Sequence, residues 1–445
     1  MNTALRAAVL LAICAPLGAG AHYANAAQNS GVTRTRIHRD AAAAELNRLL
    51  NDAQTAVQQK DFDTAAKDYQ QFLAKKPDDA IVHFDLGYVY TALNRADDAK
   101  SQYQKAVALD PKMGAAYLNL GLTLLQSSPA DAVDPLQHAA DLLPDQPRPR
   151  FLLATALERS GKLNDAIAQY QAAEKLDAKD FETHLALGLA LLHTNRLPDA
   201  EREFRAALVL QSDSPEADEA HLGLGQCLIA QKQYQPGIAE LGAYLNDHPK
   251  DAHIRVERAA ALVDLGQLDQ AMAELDRAAS QGPENTDALE LRARIYFAKK
   301  QFANAVPPLK QAVSLAPQNA NFRALLGHAL LASKDYSGAV AQLLQANKLD
   351  PSANDVLGDL VIAEYNTQNY AVSLQVLDVL SKRSQLPPES WFLRGACYDK
   401  LNAPEQALDA YKHFLQLNTD ENSDMYFEAS SRVRALTLEL KNKKR

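Results

Sequence analysis

Residues 80–113 read AIVHFDLGYVYTALNRADDAKSQYQKAVALDPKM, and this stretch decides the fold. Leu86, Gly87 and Tyr90 fall on one stripe of a first helix at helical spacing. Asn94 ends that helix, because asparagine tolerates the left-handed conformation of a C-terminal cap. Asp97 and Asp98 open a second helix, where negative charge meets the positive end of the helix dipole. Ala99, Tyr103 and Ala106 form its buried stripe, and Pro111 stops it. Gly87 and Ala99 are small so that the two backbones can approach closely. The unit is a helical hairpin.

The hairpin returns. The second-helix alanine recurs at Ala65, Ala99, Ala132, Ala166 and Ala200, passes through Gly237, and continues at Ala271, Ala305, Ala339, Ser373 and Ala407. Pro77 and Pro111 share a 34-residue step with Pro249, Pro283, Pro317 and Pro351. Two markers with one period mean stacked supersecondary units rather than one globular core. The small first-helix position recurs as Ala53, Gly121, Gly188, Gly225, Gly327 and Gly395, and its large partner as Tyr69, Tyr170, Phe204, Leu241, Leu343 and Tyr411. One repeat is a residue short between Ala99 and Ala132, and three extra residues enter near Ser212 to Pro215. Both changes belong in turns, where a shift of register costs least.

These residues resemble the tetratricopeptide repeat, a helix–turn–helix of 34 residues. The resemblance covers Leu46 to about Glu421, or eleven consecutive repeats starting near Leu46, Ala80, Gly114, Pro147, Phe181, Asp218, Ala252, Thr286, Ala320, Asn354 and Pro388, with Trp391, Gly395, Tyr398, Ala407 and Tyr411 matching closely in the last. It implies an all-α fold, a right-handed α-solenoid (superhelix) whose first helices line a concave groove that takes a peptide or a partner helix. Residues 44–421 form the array. Residues 422–445 read as a C-terminal capping helix and basic tail, with Tyr426, Phe427, Val433 and Leu436 on one side.

The first residues read as an export signal. Arg6 gives the positive start, Ala7 to Gly18 is too short to span a bilayer, and Ala24-Asn25-Ala26 offers small residues for cleavage. Residues 1–26 are therefore expected to be removed and 27–43 to be a flexible linker. The expected location is outside the cytoplasm, in the periplasm or cell envelope, or secreted. Without the signal, Cys227 and Cys397 remain at one repeat position on the packed side of a first helix, which predicts buried free thiols. The 46 basic and 55 acidic residues leave a net charge of −9, which argues against nucleic acid or an anionic membrane as partner. No later run of apolar residues is long enough to span a membrane.

In the groove, one variable column includes Gln54, Tyr88, Leu122, Leu189, Gln226, Arg294 and His328. These are the expected partner-binding residues, with Tyr88, Leu122 and Leu189 receiving an apolar segment. A second column with Phe84 and Phe151 reads as packing between neighbouring repeats. The lysine–asparagine–arginine clamp by which some members of the family hold a terminal carboxylate is missing, since Leu50, Phe84 and Leu118 stand in its place.

No zinc helix, phosphate loop, serine elbow or Cys-x-x-Cys pair is present, so no cofactor, metal site or catalytic residue is expected. His83, His184 and His221 share a position early in a first helix and show no third metal ligand at a recurring spacing. The expected function is a non-catalytic scaffold or adaptor for protein or peptide partners. A narrower version is an assembly component of a polysaccharide-export or surface-appendage machine. An enzyme with Glu290, Arg294 and His328 in the groove is the remote alternative. Self-association through the open N-terminal edge is also expected to be available.

Overall fold

The computed structural model describes residues 33–211, 216–418, 420 and 422–443. Among the described residues there are twenty-three helices and no strand. The protein is an all-α solenoid, and it divides into two compact halves, one ending at Asp247 and the other beginning at His248. The expected signal at residues 1–26 and the insertion at 212–215 lie outside the described residues.

In repeat two the first helix spans Ala80–Ala92 and the second Ala96–Leu109. Asp79 caps the first by accepting from the Val82 amide at 3.3 Å. Asn94 then turns the chain with φ 57°. A left-handed residue occupies this turn in ten repeats, as asparagine, glycine, lysine or glutamine. Repeat three is the exception. Its helices Gly114–Ser127 and Pro129–Leu142 are separated by Ser128 alone, which is where the missing residue was lost.

Within each repeat the hairpin closes through the small-to-large contact expected from sequence. A methyl group built on Gly121 would come within 2.4 Å of Leu136 Cγ, and one on Gly87 within 2.7 Å of the Tyr103 ring. Tyr69, Tyr103, Tyr170 and Phe204 are fully buried in this role, each burial contributing roughly 2–3 kcal/mol. In the first half a single apolar core runs from Leu49 to Leu228, and in the second half the largest core runs from Ala293 to Cys397. Cys227 and Cys397 are buried free thiols inside these cores.

Two boundaries differ from the sequence reading. The first helix begins at Thr33 and runs to Gln58, so residues 33–43 are helical rather than linker. The Ala41–Ala44 run has the highest helix propensity available and meets no breaker, so the repeat-one helix simply extends upstream. Repeat six starts at Ala217, one residue before the expected Asp218. At the other end Asp424–Lys443 forms a helix on the last repeat, where Ala429 and Leu436 bury against Ala407, Tyr411 and Phe414. This is the expected cap, and it shields the apolar edge of the final hairpin.

Candidate partner-binding face

Within each half, first helices of successive repeats pack against one another, whereas second helices of successive repeats do not make comparable contact. The first helices therefore line the inner side of the stack. Their outward residues form the candidate binding face.

The expected residues on this face divide by burial. Tyr88, Leu189, Gln54 and Gln226 are half-buried, and Arg294 and His328 are exposed. Leu122 differs: it is 8% exposed and belongs to the apolar core, so it presents no surface to a partner. Phe84 and Phe151 are buried at 4% and 6%, and their rings meet Tyr103 and Tyr170 within their own repeats rather than in a neighbouring one.

In the first half Gln54 lines a cavity of about 280 Å³ with Leu46, Leu50, Phe72, Ile81 and Val82. This hollow is mainly apolar, and Ile81 is 43% exposed at its rim. In the second half His328 lines a cavity of about 330 Å³ with Ala324, Leu325, Val356, Asp350, Asp355 and Asp359. Its floor is apolar and its rim carries three carboxylates. His328 Nδ1 lies 2.9 Å from Asp359 Oδ2, and this bond raises the histidine pKa above its ordinary value. Phe297 and Phe302 meet the same ring edge-on at 5.7 and 6.3 Å. Glu290 and Arg294 make no hydrogen bond or ion pair with His328, whose ring bonds to Asp359 instead.

Family models described as tetratricopeptide repeat match residues 56–121, 151–252, 256–358 and 388–421, which together exceed half of the chain. The chain belongs to the tetratricopeptide-repeat family. No curated protein matches it. Among solved structures it is similar to YrrB, a TPR protein with an unusual peptide-binding site, at 20% identity and a TM-score of 0.39, covering 42% of this chain and 95% of that one. PilF of Pseudomonas aeruginosa aligns at 21% identity and 0.40, covering 48% and 96%. Yeast Tom70 aligns at 13% identity and 0.34, covering 90% and 97%.

The tetratricopeptide framework also carries a polar latch at the position shared by His83, His184 and His221. His83 Nδ1 meets Gln102 Oε1 at 2.7 Å, His184 Nδ1 meets Glu203 Oε2 at 2.8 Å, and His221 Nδ1 meets Glu240 Oε2 at 2.6 Å. Arginine takes the same place in other repeats: Arg255 donates to Glu274 at 2.9 Å and Arg323 to Gln342 at 3.0 Å. All these pairs are 19 residues apart. A second bond reaches back to the preceding turn, from His83 to the Pro77 carbonyl at 2.9 Å and from Arg323 to Pro317 at 3.0 Å. The latch thus ties both helices of a repeat to the chain entering it. A histidine or arginine followed 19 residues later by glutamine or glutamate was visible in the sequence, as a period across the hairpin rather than along one helix.

Beneath the first-helix face lies a second polar feature. Asp85 is 2% exposed beside the Tyr69 hydroxyl, yet neither Asp85 Oδ1 nor Tyr69 Oη completes a hydrogen bond of ordinary geometry. Burial pushes the Asp85 pKa up to about 7, and the nearby Asp79 charge adds to the shift.

Proposed function

We propose that this tetratricopeptide-repeat protein is a non-catalytic scaffold that holds extended segments of partner proteins along its first-helix face. We further propose that it works after export, in the periplasm or cell envelope, because residues 1–26 carry the pattern of a cleavable signal. The observation that carries the binding role is the placing of cavities on that face. An apolar hollow at Leu46, Leu50 and Ile81 suits an aliphatic or aromatic side chain. The hollow at Asp350, Asp355 and Asp359 suits a basic side chain beside an apolar one.

Site-specific photocrosslinking tests this. A photoreactive residue at Tyr88, at Asp355 or, as an outer control, at exposed Gln104 is introduced one at a time, and adducts are identified by mass spectrometry. The expected result is one set of partner segments attached at Tyr88 or Asp355 and absent at Gln104. Adducts confined to Gln104 would place binding on the second helices. Sequencing the amino terminus of the protein recovered from the envelope fraction tests export, with Ala27 as the expected first residue.

A further inference from the structure

Glu174, near the end of its second helix, is a charged residue where most repeats carry an apolar one, among them Leu73, Val107, Leu208 and Leu245, and where Asn347 and Ser381 are neutral polar exceptions. Here it is a half-buried carboxylate with no hydrogen-bond or ion-pair partner among the described residues. One ligand atom each from Glu174, His184 and Glu203 lies within 4.8 Å of the other two. Among the described residues no other three acidic, histidine or cysteine side chains converge in this way. Glu174 comes from repeat four, His184 and Glu203 from the two helices of repeat five.

His184 is held between two acceptors, its ring N–H groups donating from Nε2 to the Ala178 carbonyl at 3.1 Å and from Nδ1 to Glu203 Oε2 at 2.8 Å, so a cation would bind at Nδ1 by taking the place of that proton. Metal-bound histidines characteristically spend their second nitrogen on such a carbonyl. Glu203 Oε1 is held by Arg202 Nη2 at 2.7 Å and Nε at 3.0 Å, leaving Oε2 to point at the imidazole 2.8 Å away. His184 and Glu203 are 5% and 1% exposed, so their rotamers are fixed by packing, while half-buried Glu174 leaves a path from solvent. The latch itself does not require Glu174. His83 and His221 make the same bond in repeats two and six, where Leu73 and Leu208 stand in its place.

We propose that Glu174, His184 and Glu203 form a divalent transition-metal site that staples repeat four to repeat five. One imidazole and two carboxylates suit zinc, with manganese at the harder end of the same range. A bound ion would neutralise the two neighbouring carboxylates and add its binding free energy to the junction between the repeats.

The test uses the purified protein after treatment with a chelator and its removal. Zinc chloride is titrated calorimetrically, and thermal unfolding is followed with and without zinc. Glu174→Leu is the central variant, because leucine is what other repeats carry there and the hairpin should fold unchanged. His184→Gln is the second. The wild type is expected to take up one tightly held zinc and to unfold at higher temperature with it. Glu174→Leu should bind at least roughly tenfold more weakly and lose the upward shift. The same dependence with manganese but not zinc also supports the site and assigns its metal class. Absence of uptake of either metal, or equal uptake by wild type and Glu174→Leu, overturns the proposal.

Discussion

Arg432 of the closing helix grips Asp399 of the last repeat with both arms of its guanidinium, Nε to Oδ2 at 2.8 Å and Nη2 to Oδ1 at 2.9 Å. Tyr411 donates its hydroxyl to the same carboxylate at 3.1 Å, so one acid joins both helices of the hairpin to the cap. Asp399 is largely shielded, whereas Arg432 is 42% exposed. Arg432→Ala should therefore cost only about 1–2 kcal/mol, and locally. Hydrogen exchange should accelerate across 424–443 and the last hairpin while the first half keeps its protection, as nearest-neighbour stability in a repeat array requires. Uniform acceleration through the chain would contradict this.

Asp85 should make stability fall as pH rises. Its pKa is about 7 in the folded protein against an ordinary 3.8, so the native state holds the proton more tightly than the unfolded chain. Stability from this group is fully present below about 3.8 and declines as pH rises to about 7, then levels off. Asp85→Asn removes that slope. Asn119 fills the equivalent place one repeat later, so the amide fits. The variant should match wild type near pH 4 and be more stable by about 2–4 kcal/mol at pH 8. Denaturant midpoints at the two pH values check this, and a gain of equal size at both would remove the protonation argument.

Gly121 tests the closest approach within a hairpin. A valine there would drive its branch into Leu136, whose Cγ is already 2.4 Å from where the first added carbon would sit. The expected loss is about 2–3 kcal/mol despite removal of a mid-helix glycine. Leu136→Ala in the same chain should recover part of it, because the two substitutions share one space. Simple additivity in thermal unfolding would show that the contact is not the cause.

Lys334 turns repeat nine with φ 66°, a conformation that costs a side chain roughly 1 kcal/mol. Lys334→Gly should raise stability by about 0.5 kcal/mol, the relief of strain exceeding the added freedom of the unfolded chain. The same change at exposed Lys112, which lacks a positive φ, should be neutral or destabilising, and calorimetry on both variants separates the two cases.

The sequence by itself determined the repeat. A small residue on each helix and a large one opposite recur at a fixed period, and packing two backbones closely has few other solutions. Hence nine of the eleven expected repeat starts, from Ala80 to Pro388, coincide with the first residue of a helix. Ends were less legible: the Ala41–Ala44 run carries no periodic stripe, and its helix follows from propensity alone. The binding face was legible as a column but not as a surface. Leu122 and Leu189 stand at one repeat position, yet one is buried and the other half-exposed, because the depth of each residue depends on how closely the next hairpin stacks. The 19-residue spacing of the latch was legible across each hairpin, but only the tertiary structure decided that Glu174 of the preceding repeat meets it. Glu174, His184 and Glu203 lie on three helices of two repeats, at separations that fit no helical or strand period. Short-range patterning dictates how each hairpin folds. Chemistry shared between hairpins arises only when stacking brings their side chains into contact.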